Sequence, residues 1–152
     1  MRTRTIVSVA AFCMIAVAAF AADPNVGSWK LNDAKSKFPA GAAKNQTVVY
    51  TADGDSYKCV VDGVDGSGKP AHNEWTGKFD GKDYPVTGEA NADMRSVKKN
   101  GMSYMINNKK DGKSTVSGTV TFSKDKKTRT LKLMGHDAAG KAWNGTYVYD
   151  RQ

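Results

Sequence analysis

The chain has 152 residues, of which 39% are hydrophobic, and a formal net charge of +8. That length is one domain by the usual size relation and leaves enough apolar residues for a small core. Its 23 basic residues against 15 acidic include no block of five like charges and fall mostly in turns, a solvated surface and not a nucleic-acid footprint.

In chain order, the first element is a leader. MRTR is a short basic region, Ile6 to Phe20 is apolar, and Ala19-Phe20-Ala21 meets the small-x-small cleavage rule, so residues 1–21 read as a signal peptide and 22–152 as a single domain. The expected product is a periplasmic or secreted protein. The apolar run is short for a membrane span, no later run is long enough, and no stable membrane insertion is expected. Cys13 follows Phe12, too large for a lipobox, which argues against a lipid anchor. Cleavage leaves Cys59 alone, so no intramolecular disulfide forms and Cys59 is either a reactive thiol or a small buried hydrophobe.

From there the chain alternates β-branched and aromatic runs with clusters of Gly, Asp, Asn and Lys, at a spacing that points to an all-β sandwich or barrel. The predicted strands are Val26 to Leu31, Gln46 to Thr51, Ser56 to Val64, Lys69 to Phe79, Lys82 to Thr87, Met94 to Lys99, Met102 to Lys109, Lys113 to Ser123, Thr128 to His136 and Lys141 to Asp150. Two stretches, GVDGSGK from Gly63 and GHDAAGK from Gly135, share the pattern G-x-D-x-x-G-K. It is turn chemistry: Asp caps, Gly supplies positive φ, and Lys returns to the strand. A calcium loop needs oxygen ligands that Asp62, Asp65 and Ser67 do not supply at the required spacing.

These turns predict register. Three-residue loops set Cys59 opposite Trp75, Leu131 opposite Tyr147 and Arg129 opposite Tyr149, and a third loop, at Lys109 to Lys113, sets Ile106 opposite Val116. Two-residue turns at Asp53-Gly54, Asp80-Gly81 and Asn100-Gly101 set Tyr50 opposite Tyr57, Trp75 opposite Val86, and Val97 opposite Tyr104. About ten consecutive antiparallel strands with one apolar face remove their exposed edges by closing. The expected fold is therefore an up-and-down meander β-barrel, with a two-sheet sandwich as the alternative.

Gly27 and Trp29 in VGSWKLN resemble the Gly-x-Trp signature of the calycin superfamily, the lipocalins and fatty-acid-binding proteins. The resemblance implies that Trp29 plugs one barrel end. The ten-strand meander and the ending TYVYDRQ are more similar to the fatty-acid-binding branch, although Asn32 to Ala43 has room for one helical turn or a loop in place of that branch's two-helix lid. GSWKLNDAKSKF, DGKDYPVTG and VYDRQ also resemble small exported bacterial proteins, a likeness that supplies no chemistry.

The inferred inward face carries Tyr57, Trp75, Tyr104, Trp143 and Tyr149 among aliphatic residues, and Arg129, Arg151 and Arg95 share its parity. An arginine there sits at the mouth in water or meets an anion, because unpaired burial is costly. Trp75, Trp143, Tyr57, Tyr104, Arg129, Tyr149 and Arg151 are thus the candidate ligand-binding residues, for a small hydrophobic or anionic molecule. His72 and Glu74 stand on the opposite face, and an enzyme would need one of them inward. No catalytic residue, metal ligand or cofactor is expected, and the protein is expected to be a monomer. The other reading is an interaction module, such as an inhibitor of an envelope or extracellular enzyme, that uses its loops around a solid interior.

Overall fold

A computed structural model describes residues 23–137 and 139–152; the expected signal peptide and cleavage site lie outside them. Ten strands follow one another: β1 (Gly27–Leu31), β2 (Lys44–Asp53), β3 (Ser56–Val64), β4 (Pro70–Gly77), β5 (Asp80–Thr87), β6 (Met94–Asn100), β7 (Ser103–Lys110), β8 (Lys113–Phe122), β9 (Thr128–His136) and β10 (Ala142–Arg151). Each pairs with its neighbour in sequence and β1 pairs with β10, so the sheet is a closed antiparallel meander, not a sandwich. Between β1 and β2 the chain makes one 3-10 turn, Asp33–Lys35, capped by Asn32, whose side chain accepts from Lys35 N at 3.1 Å. No helix of the described residues is long and apolar enough to cross a membrane.

The repeated G-x-D-x-x-G-K motif builds the same turn twice. Asp65 Oδ1 accepts from Ser67 N at 2.8 Å and Lys69 N at 3.0 Å. Asp137 Oδ1 accepts from Ala139 N at 3.0 Å and Lys141 N at 2.9 Å. Gly68 and Gly140 take φ of 83° and 78°, the left-handed region that a side chain would strain. The expected pairs Cys59 with Trp75, Leu131 with Tyr147 and Arg129 with Tyr149 all form.

Elsewhere the register differs from expectation. Tyr50 faces Cys59 and not Tyr57, and Val97 faces Ile106 and not Tyr104. In both hairpins the glycine, Gly54 (φ 59°) or Gly101 (φ 60°), takes the first central position of the turn instead of the second, as in a II′ turn. Sliding the turn by one residue moves every partner by two, which preserves the inward face. At the β7–β8 hairpin the turn is Asp111-Gly112, both with positive φ, and a bulge at Asn108/Lys109 shifts the ladder so that Ile106 faces Gly118. The expected pair Trp75 with Val86 forms, but β4 and β5 share only that pair and Glu74 with Thr87. Val86 N donates to Asp93 O on the β6 side, so the donor that Pro85 lacks is missing on the β4 side.

His72 stands on the outer face as its parity predicted. Its Nδ1 lies 2.6 Å from Asp62 Oδ1 and its Nε2 3.4 Å from Glu74 Oε1, in a cross-strand ladder that continues from Glu74 to Lys58. The hydrogen bond to Asp62, then that to Glu74, raises the imidazole's pKa above its ordinary value. Protonation thus favours the folded state; this contribution is full below the unfolded-state pKa and is lost as pH rises through the folded one. In an NMR titration His72 should ionise above its ordinary range, and Asp62→Asn should lower its midpoint; an unchanged midpoint would show that the pair does not form in solution.

Candidate functional site

The barrel interior is divided along its axis. One half is packed by a chain of ring contacts: Trp29 to Phe122 at 5.5 Å, Phe122 to Tyr104 at 5.9 Å, Tyr104 to Phe79 at 5.1 Å, and Phe79 stacked on Tyr57 at 3.9 Å. Trp75 extends this layer, 6.3 Å from Phe79, and donates its indole N–H to Arg95 O at 3.1 Å. Below Trp29 the segment Asp23–Val26 crosses the barrel end. Tyr104 Oη donates to Asp23 Oδ1 at 2.5 Å, and Trp29 Nε1 donates to Asn25 O at 3.0 Å.

Arg151 belongs to this closed end. Its Nε donates to Lys126 O, its Nη1 to Val26 O and its Nη2 to Pro24 O, at 2.8, 2.9 and 2.7 Å, while the guanidinium lies 4.1 Å over the Trp29 ring. Gly27 makes room for it, since a Cβ there would stand 2.5 Å from Arg151 Nη1. The Gly-x-Trp signature therefore has a physical reason: Gly27 admits the arginine that covers Trp29. Three backbone carbonyls thus hold Arg151 at the closed end, and it is not among the residues that line the barrel's cavity.

The other half contains a cavity of about 560 Å³. It opens between the β1–β2 connection (residues 39–43), the β5–β6 loop at Glu89 and Asn91, and the β9–β10 turn at His136 and Asp137. Val48, Val61, Leu131, Leu133 and Tyr147 form an apolar part of its wall, with Trp143 near the mouth. Trp143 lies across Gly135, its partner on β9, where a Cβ would come within 2.8 Å of the indole. Phe38 holds the β1–β2 connection against Tyr147, with ring centroids 5.2 Å apart. Of the seven candidates, Trp143, Arg129 and Tyr149 line the cavity, Trp75, Tyr57 and Tyr104 lie in the packed layer, and Arg151 lies at the closed end.

The deeper wall is polar. Arg129 is only 2% exposed. Its Nε donates to Asn25 Oδ1 at 3.2 Å, its guanidinium lies 5.3 Å from the Tyr149 ring and 5.8 Å from that of Tyr50, and its buried Nη1 has no hydrogen-bond partner. No carboxylate of the described residues pairs with it. Arg95, also buried, is compensated: Nε donates to Asn108 Oδ1 at 2.8 Å and Nη2 to Glu89 Oε2 at 2.9 Å.

Burial pushes the phenols of Tyr50 and Tyr149 well above their usual range, against the opposing pull of Arg129, so both stay protonated at neutral pH. Burial likewise raises the Cys59 thiol, although Arg95 opposes the shift. Cys59 is therefore a thiol in the cavity wall and not a thiolate nucleophile. Sequence reasoning missed Asn25, Asn108 and Glu89. Asn108 was accessible in principle, because it shares the parity of Ile106; Asn25 and Glu89 lie outside regular strands, where alternation says nothing.

No family model matches the chain, and no curated protein matches it. Solved structures similar in outline include the following two. EF1p2_mFAP2b bound to DFHBI is 12% identical, with 87% of this chain and 97% of that chain covered and a TM-score of 0.48. Lobster apocrustacyanin A1 is 12% identical, with 87% of this chain and 63% of that chain covered and a TM-score of 0.43. At TM-scores this low the likenesses carry no argument about function. The chain's own geometry is a closed ten-strand antiparallel meander barrel with Gly27, Trp29 and Arg151 interlocked at one end.

Proposed function

We propose that this barrel is an exported carrier for a small hydrophobic molecule bearing one anionic group, a medium-chain fatty acid or an aromatic acid. The observation that carries the reading is Arg129: a buried guanidinium with an unpartnered nitrogen and no carboxylate, in the wall of a cavity of about 560 Å³. An unpaired buried charge is costly, and a ligand carboxylate would offset that cost where no side chain does. The apolar wall would contribute roughly 25 cal/mol per Å² of ligand surface buried, and Arg129 would fix orientation. Trp143 and Tyr149 complete the site, while Trp75, Tyr57 and Tyr104 support its floor. The leader motif supports export to the periplasm or the medium, with cleavage before Ala22. The interaction-module alternative requires a solid interior, and the cavity favours the carrier.

Octanoate and octanol, titrated separately against tryptophan fluorescence, test this reading. Both should bind, and Arg129→Ala should weaken the acid about tenfold more than the alcohol, the difference that a charged hydrogen bond makes. Equal losses would remove Arg129 from the site, and no binding of either ligand by the unmodified barrel would move the reading to the interaction module.

A further inference from the structure

The cavity wall holds two buried arginines, Arg129 and Arg95, in different electrostatic states. Both line the same cavity, together with Tyr50 and Cys59. Arg95 has a carboxylate of its own, Glu89, which reaches in from the β5–β6 loop at the mouth. Asp137, the other acid of the lining, sits in an exposed turn, where its carboxylate caps backbone amides. Two guanidiniums and one inward carboxylate leave one positive charge without a partner.

We infer that Glu89 sets the charge selectivity of the cavity: by occupying Arg95 it leaves a single open guanidinium, so the site takes monoanions and turns away dianions. The inference rests on the carrier reading above. A ligand with one negative charge neutralises Arg129 and leaves the Arg95–Glu89 pair intact. A second charge on the ligand has no free cation. It must either stay desolvated without a partner or displace Glu89 from Arg95, and both are unfavourable in a low-dielectric interior. The carboxylate is thus a built-in competitor for the second anion position, and specificity comes from the repulsion it presents.

The test uses two probes of one shape that differ in charge, octyl sulfate and octyl phosphate at pH 8, where the phosphate monoester carries nearly two negative charges. Binding is read by tryptophan fluorescence, with octanoate as a reference. The unmodified protein should prefer the sulfate. Glu89→Gln keeps the shape and an acceptor for Arg95 but removes the charge, and should move the phosphate-to-sulfate affinity ratio by about tenfold toward phosphate. Glu89→Ala should move it in the same direction, whereas Glu74→Gln on the outer face should not. If both probes bind and neither Glu89 variant changes the ratio, or if Glu74→Gln changes it equally, the selectivity role is overturned. Failure of the unmodified protein to bind the sulfate, the phosphate or octanoate overturns the carrier reading itself, and this inference with it.

Discussion

Arg129→Met should give a ligand-free barrel that melts at a higher temperature than the unmodified protein and no longer distinguishes an acid from its alcohol. The guanidinium is buried without a counter-charge, and its desolvation is offset only by a 3.2 Å hydrogen bond to Asn25 and the faces of two tyrosines. Methionine fills a similar volume without that penalty. Its cost is the widowed amide oxygen of Asn25, about 1–3 kcal/mol, set against several kcal/mol for an uncompensated ion. The net gain should be about 1–3 kcal/mol, read as an upward shift of the thermal midpoint. A lower midpoint would show that Asn25 and the tyrosines already compensate the charge, and would take away the physical motive for an anionic ligand.

Trp75→Ala should have the largest effect in the other direction. Trp75 is 1% exposed, packs beside Phe79 and Tyr84, and ties β4 to β6 through its bond to Arg95 O. Truncating a buried tryptophan costs about 3–5 kcal/mol, much of the 5–15 kcal/mol that holds a typical domain folded. The loss should be larger than average because it falls where β4 and β5 share two residue pairs, so few backbone contacts can take up the slack. Urea denaturation should show a much lower midpoint at unchanged slope. A loss below about 1 kcal/mol would mean that the neighbouring rings collapse into the space, and that the packed half is softer than its contacts suggest.

The fold was legible in the sequence because turn chemistry and alternation agree. Where an aspartate caps a three-residue loop, as at Asp65 and Asp137, it fixes both the turn position and the register. Where an Asp-Gly or Asn-Gly pair marks a two-residue turn, as at Asp53-Gly54 and Asn100-Gly101, the glycine can take either central position, so the face was readable and the partner was not. The site was legible to the same degree. Alternation puts Arg95, Arg129 and Arg151 on the inner face, but it carries no information about depth along the barrel axis. Arg129 lines the cavity while its Nε reaches Asn25 of the closed-end segment, whereas Arg151 covers Trp29 and bonds the carbonyls on either side of Asn25. The buried amide of Asn25 could not be anticipated, since the segment before β1 has no period to read.

The closure of the sheet also bears on time. Trp29 pairs with Arg151 across nearly the whole chain, and Tyr149, in the cavity wall, belongs to the last strand. Hairpins β2–β3 through β8–β9 can form from neighbours, but joining β1 to β10 closes the longest loop in the molecule, the step that loop entropy and contact order make slow. A chain that emerges residue by residue has no closed cavity until β10 arrives. Until then the two unjoined strands are the exposed edges through which nascent copies would associate.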